Sequence, residues 1–346
     1  MKFGIFDYID RRDEPLAKTF DDRLTLLKSA EEVGFHGYHL TEHHVTPLSS
    51  TPSPTVFLAA AARETIRIRL GALLFLLPLY NPIRLAEELS MLDNLCHGRL
   101  DVGVGRGIAP PEFAALGIDF EQSEEMFAEA FQIVHKAFTQ DRVDHHGKHF
   151  QFEDVPVVMR PMQQPFPPYW YGLRGDHGPI FAASHGMNGV TLGPTERVAG
   201  ILGRFREAWE KHAEQRRQFG TPVEQPLAGV MRAMYVAEND ADAERTARPA
   251  YAQWYDSLDW LWRLRSQKIP ISISPSYDDA RAAGTLVVGG PDTVRRELID
   301  QERTAGFNYL VLQLAFGSLT HEQEQRSLGL FGAEVMPALA ELNSRN

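Results

Sequence analysis

Gly37-Tyr38-His39-Leu40-Thr41-Glu42-His43-His44 and Arg99-Leu100-Asp101-Val102-Gly103-Val104-Gly105-Arg106-Gly107 are two short runs that each break off into polar residues and glycines. A short apolar run that ends in this way reads as a buried β-strand. Between them, Pro54 to Glu64 reads as a helix, Ile68 to Leu77 as a strand stopped by Pro78, and Pro82 to Leu95 as a helix. Strand alternating with helix implies parallel strands. Polar clusters at the C-terminal ends of such strands face one shared mouth.

The same unit continues outward in both directions. Lys2 to Tyr8 reads as strand one and Asp21 to Val33 as an amphipathic helix, with Leu24, Leu27 and Ala30 at helical spacing. Gly37 to Thr41 is strand two, and Arg99 to Val104 is strand four. After the long helix Glu121 to Phe138, the segment Asp141 to Pro168 leaves the rhythm and reads as a surface hairpin followed by an extended connection. Tyr169 to Leu173, Gly189 to Leu192, Leu227 to Val236 and Asn308 to Leu314 read as strands five to eight. Helices are expected over Pro179 to His185, Thr195 to Gln218, Asp240 to Leu264, Asp292 to Ala305 and His321 to Leu342. Ile269 to Ala283 reads as irregular. The expectation is a TIM-type (β/α)8 barrel with insertions after strands four and seven, forming one domain over residues 1–346.

Composition agrees with that class. The 346 residues exceed the ~250 of a typical barrel, and the hydrophobic fraction is 43%. A formal net charge of −11 describes a surface that repels nucleic acid and anionic membrane. Cys96 is the only cysteine, so neither an internal disulfide nor a thiolate metal site is available. No stretch approaches the ~20 apolar residues of a membrane span. Met1 to Phe6 reads directly as a strand rather than as a signal peptide, and the expected location is the cytoplasm.

Candidate chemistry gathers at the strand ends. Along strand two His39, Thr41 and His43 share one face and Tyr38 and Leu40 the other. The apolar face meets the outer helices, which puts His43 inside. A histidine there can move a proton near neutral pH, and a neighbouring carboxylate such as Glu42 can fix its tautomer. The alternative is a pair of hydrogen-bonded structural histidines. A metal site at Glu42-His43-His44 is disfavoured, because no second carboxylate lies nearby and adjacent strand residues face opposite ways. On strand four, Asp101, Gly103 and Gly105 face inward, which lets a flat ligand approach the backbone. Arg106 can grip a phosphate bidentately. The turn Arg174-Gly175-Asp176-His177-Gly178 leads into a helix N-terminus, a second place for an anion. His145, His146 and His149 lie in the hairpin and read as structural or solvent-exposed. Cys96 reads as a buried small hydrophobe. The aromatic run from Tyr251 to Trp262 reads as core, with a substrate-pocket role open.

These residues, taken together, resemble the bacterial luciferase-like family of flavin-dependent monooxygenases. The resemblance is carried by Lys2-Phe3-Gly4-Ile5-Phe6, Ala30-Glu31-Glu32-Val33-Gly34-Phe35, Thr41-Glu42-His43-His44 and Leu77-Pro78-Leu79-Tyr80-Asn81-Pro82. Leu92-Asp93-Asn94-Leu95 with Gly98-Arg99, Gly103-Val104-Gly105-Arg106-Gly107, Phe316-Gly317 and Ser327-Leu328-Gly329-Leu330-Phe331 complete it. It implies a barrel that binds reduced FMN at its mouth and forms a flavin hydroperoxide with oxygen. The flavin would come from a separate NAD(P)H:flavin reductase, and a small organic molecule would be the substrate. By the same resemblance His43 is the catalytic candidate, with His44 and Glu42 beside it. Arg106 and the turn carrying Arg174, Gly175 and Gly178 would hold the phosphate, although many relatives have serines in that turn. A non-proline cis peptide would fall at Leu73-Leu74, against the flavin, and a homodimer is expected. Three alternatives remain at this level: an F420-dependent hydride-transfer oxidoreductase, a non-catalytic flavin-binding luciferase-type subunit, and a metal-dependent hydrolase barrel.

Overall fold

The computed structural model describes residues 1–271 and 273–344. Its strands are β1 (Lys2–Asp7), β2 (Gly37–Leu40), β3 (Arg69–Leu76), β4 (Leu100–Gly105), β5 (Arg142–His146), β6 (Gln151–Pro156), β7 (Tyr169–Gly172), β8 (Asn188–Thr191), β9 (Ala228–Val236), β10 (Leu286–Gly289) and β11 (Tyr309–Gln313). Eight of these pair in parallel in the order β9-β11-β1-β2-β3-β4-β7-β8, and β8 returns to β9 to close the ring. Helices run between successive strands on the outside. The fold is the TIM-type (β/α)8 barrel. β5 and β6 form a separate antiparallel pair between β4 and β7.

The outer layer forms because each strand and helix offers one apolar face. The helix Pro82–Leu95 begins where Asn81 Oδ1 accepts the backbone N–H groups of Ile83 and Arg84. Its Leu85, Leu89 and Leu92 are buried in the large core around the barrel. Each buried leucine contributes roughly 1.5–3 kcal/mol. That stripe is therefore spent on the chain's own core. Arg99, also buried, donates to the carbonyls of Ala62, Thr65, Ile68 and Cys96, which ties two helix ends to β3 and β4. Cys96 is buried, as its apolar setting predicts.

First and last elements are joined by buried charge. Arg23 Nη1 donates to Glu324 Oε2 at 2.6 Å, and Arg12 pairs with the same carboxylate. Tyr38 Oη donates to Asp7 Oδ2 at 2.9 Å. Gly317 N donates to Asp10 Oδ2 at 2.7 Å. Burial raises the Asp10 carboxyl to about 7, against the pull of Arg23 and Arg12.

Several elements differ from the sequence expectation. Leu286–Gly289, unassigned there, pairs with the outer half of β9 from Ala233 to Val236, while β8 occupies the inner half. The segment read as irregular contains a helix, Tyr277–Ala282, capped by Ser276. The single helix expected over Thr195 to Gln218 breaks at His212 into Thr195–Lys211 and Ala213–Phe219. The last helix stops at Leu330, passes through a π turn at Phe331–Val335, and resumes at Met336–Ala340. Pro337 accounts for this, because proline lacks an N–H and crowds the preceding turn.

Candidate active site

A cavity of about 1230 Å³ opens at the C-terminal ends of the barrel strands. His43 lines it, one residue beyond Glu42 at the end of β2. Its Nδ1 lies 2.9 Å from Glu112 Oε1, and its ring stacks on Tyr8 with centroids 5.9 Å apart. A carboxylate against Nδ1 favours the tautomer with the proton there, leaving Nε2 as the acceptor.

The neighbouring residues of the tripeptide do something else. Glu42 is 3% exposed; its Oε2 accepts from Leu76 N at 2.9 Å and its Oε1 lies 2.9 Å from His44 Nε2. Glu42 thus pins the end of β2 to the end of β3, and it orients His44 rather than His43. His44 does not line the cavity. Burial pulls the His44 pKa down, but the hydrogen bond and charge of Glu42, with Glu112, outweigh it and raise the value. The carboxylate that serves His43 is Glu112, which the sequence reading passed over. A usable signal was present: Pro110-Pro111 opens the helix Pro110–Ala115 and sets Glu112 in its first turn.

The floor of the cavity comes from β3 and β4. The Leu73-Leu74 peptide is cis, as the family resemblance implies. The β3–β4 register shifts between Ala72 and Phe75, and both leucines line the cavity. The glycines of β4 answer to this neighbour and not to open space. A Cβ on Gly103 would sit 2.1 Å from the Ala72 carbonyl oxygen, and one on Gly105 would sit 2.5 Å from Leu74 Cδ1. Gly105 is on the cavity wall and Gly103 is not.

Arginines gather on the same cavity. Arg106 lies 5.0 Å over the Phe120 ring and 3.6 Å from Glu124. Arg174 Nη2 donates to the Pro270 carbonyl at 3.3 Å. Arg197, from the first turn of Thr195–Lys211, also lines the cavity and was not singled out from sequence. Burial lowers the Arg174 pKa, and the charges of Arg197 and Arg106 lower it further. Gly178 is on the wall, but its N–H donates to the Arg174 carbonyl at 3.2 Å. Gly175 has a φ of 59° and forms the turn without lining the cavity. The turn therefore presents guanidinium charge, with the Gly178 amide already engaged.

Apolar and aromatic groups fill the remaining wall. Phe6, Tyr8, Met231, Leu258, Leu261 and Trp262 all reach it. The aromatic run is thus divided: Tyr251 and Trp254 are buried behind the mouth, while Trp262 faces it. In the hairpin, His145 lies 3.3 Å from Glu129 and His149 lies 3.1 Å from Glu125. Among the described residues no group of three or more His, Cys, Asp or Glu side chains could hold a metal ion. Nor is any helix among them long and apolar enough to cross a membrane.

Fold and site together define a parallel-barrel protein with a carboxylate-paired histidine and a group of arginines on one large cavity. The chain belongs to the luciferase-like monooxygenase family, whose profile matches residues 1–309. It is 28% identical over 360 residues to the oxygenase component of the flavin-dependent trigonelline monooxygenase of Acinetobacter baylyi, covering 99% of this chain and 96% of that one. The crystal structure of monooxygenase RslO1 from Streptomyces bottropensis superposes with a TM-score of 0.87 at 28% identity, over 98% of this chain and all of the other. The coenzyme F420-dependent tetrahydromethanopterin reductase of Methanopyrus kandleri shares the fold, with a TM-score of 0.72 at 16% identity over 97% of this chain and 98% of that one.

Proposed function

We propose that this chain is the oxygenase of a flavin-dependent monooxygenase, one barrel domain that uses reduced FMN and oxygen to oxygenate a small organic substrate. The observation that carries this is the make-up of one cavity: a group of mutually interacting arginines, His43 paired with Glu112, and a wall of leucines and aromatics. A phosphorylated flat ring fits these residues. Burial first, and then the charges of Arg197 and Arg106, lower the Arg174 pKa, so a phosphate there relieves both the lost solvation and the repulsion. Leu73, Leu74 and Gly105 would lie under the ring.

Bound reduced FMN would supply the oxygen-activating chemistry. The protein's own part is narrower. Arg106, Arg174 and Arg197 grip the phosphate end. Phe6, Tyr8, Leu258 and Trp262 exclude water. Glu112 keeps the proton of His43 at Nδ1, so that Nε2 accepts a proton or a hydrogen bond from the reacting groups. A separate NAD(P)H:flavin reductase delivers the reduced flavin, and the enzyme works in the cytoplasm as a homodimer.

The deciding experiment is an anaerobic titration with reduced FMN and, separately, reduced F420, followed by admission of air. Tight binding of reduced FMN and consumption of oxygen by the complex are the expected result. Preferential F420 binding without oxygen uptake would replace oxygenation by hydride transfer on the same geometry. Binding of neither would remove the flavin reading.

A further inference from the structure

Beside the large cavity lies a second void of about 20 Å³, lined by Leu192, Met231, Ala233, Trp254, Thr285 and Gln313 among others. Leu192 and Met231 line both spaces, so a single layer of side chains separates them. Gln313 ends β11, paired with Ala233 of β9, and is fully buried. Its Oε1 and Nε2, and Trp254 Nε1, have no hydrogen-bond partner among the described residues. The other polar side chains on the wall, among the described residues, are engaged: Tyr251 Oη donates to the Ser274 carbonyl at 2.6 Å, and Thr285 Oγ1 donates to the Ala280 carbonyl at 3.1 Å. Trp254 lies 5.8 Å from Tyr8, and Tyr8 stacks on His43. Two aromatic rings, Trp254 and Tyr8, thus link the void to the side chain assigned to proton transfer.

An unpaired buried amide is costly, and its persistence at a functional mouth points to a ligand that satisfies it. Two residues on this wall carry unpartnered groups, two donors and one acceptor, and among the described residues no charged side chain lines the space. A carbonyl oxygen can accept from both Gln313 Nε2 and Trp254 Nε1. An ionic group would meet no counter-charge. The volume suits one oxygen-sized group, since a water needs roughly 10–15 Å³.

We infer that this void is the polar end of the substrate pocket and that it takes the carbonyl oxygen of a neutral, otherwise apolar substrate. Met231 and Leu192 turn aside to admit it, and the carbon body lies along Tyr8 toward His43. The inference rests on the monooxygenase reading for the word substrate, and on Gln313 and Trp254 for the chemistry.

The test uses the full chain with two probes of the same shape, 2-decalone and 2-methylenedecalin, by calorimetry and tryptophan fluorescence. The ketone should bind about tenfold tighter, the usual worth of a satisfied buried hydrogen bond. Gln313→Leu and, independently, Trp254→Phe should each narrow that gap while leaving the affinity for reduced FMN unchanged. A crystal soaked with the ketone should place its oxygen within hydrogen-bond distance of Gln313. Equal affinities, binding of neither probe, a gap that survives both substitutions, or a water that keeps the void with ketone bound elsewhere would each overturn the inference. A wild type that shows the ketone preference but binds no reduced FMN would instead defeat the flavin reading and leave the subsite standing.

Discussion

His39 and His43 lie on the same face of the same chain segment, yet they live in opposite environments. His39 is 1% exposed and its Nε2 lies 2.7 Å from Tyr309 Oη, with Trp170 packed 5.0 Å away. Burial holds its pKa down to about 4. His43 stands at the mouth, with a carboxylate on one nitrogen and the cavity beside it. Burial behind a phenol and aromatic walls makes the lower histidine a neutral strut near neutral pH. An ionisable partner and access to a ligand make the upper one usable for proton transfer. Residue type and strand face alone do not separate the two; depth and partner do.

The sharpest way to break the comparison is to remove each ring in turn. His43→Ala should lower turnover about 100-fold or more, the usual contribution of a positioned acid or base, with thermal stability and reduced-FMN affinity kept. His39→Ala should do the reverse: a fall in Tm, with turnover per folded molecule retained. If both variants lost only activity, or both only stability, the contrast would be void. The arginines come next. Arg106→Ala should weaken reduced FMN by about 1.5–3 kcal/mol, the range of a hydrogen bond to a charged group, and leave riboflavin unaffected, as an equilibrium titration would show. A smaller effect tests the tautomer argument: Glu112→Gln should cost about tenfold in turnover and shift its pH profile, with flavin affinity unchanged. No change in the profile would detach Glu112 from His43.

The smallest expected effect concerns pH and the lower histidines. Burial holds His36, His39 and His135 down to about 4, against an ordinary value of 6.5. Between those values the unfolded chain binds more protons than the folded one. Stability is therefore full above pH 6.5 and falls as pH drops toward 4. Asp10, raised to about 7, works the other way: its folded form holds a proton that the unfolded chain has lost, so its contribution declines as pH rises from 3.8 to 7. Three imidazoles against one carboxyl leave acid lability as the net result. Melting curves between pH 6.5 and 5 should show the fall, and His39→Gln should flatten it. A Tm that rises on acidification would contradict this balance.

The barrel was legible because its signal is local. Apolar runs with helices between them require only neighbours in sequence, and each of the eight barrel strands overlaps its expected region, with β4 and β8 each reaching one residue beyond it. β10 escaped because four residues pairing with only the outer half of β9 leave too short a pattern to stand out. The site was legible in part for the same reason. Alternation along β2 put His43 on the inner face, and Arg106 and Arg174 announced themselves by their glycines. Partnership was not legible. Glu42 beside His43 in sequence serves Leu76 and His44 in space, while Glu112 comes across from the segment after β4, two strands on.

By itself, the sequence determined the strand–helix rhythm, the lack of an internal disulfide, the net negative charge and the histidine at the mouth. These depend on residue type and on periodicity. Only the tertiary structure decided what each polar group touches. It gave Gly103 to the Ala72 carbonyl, brought Arg197 beside Arg174, and left Gln313 and Trp254 facing one small void. The physical reason is that hydrogen bonds and charges act over a few ångströms of space. Closing a barrel brings within that range residues that the chain keeps far apart.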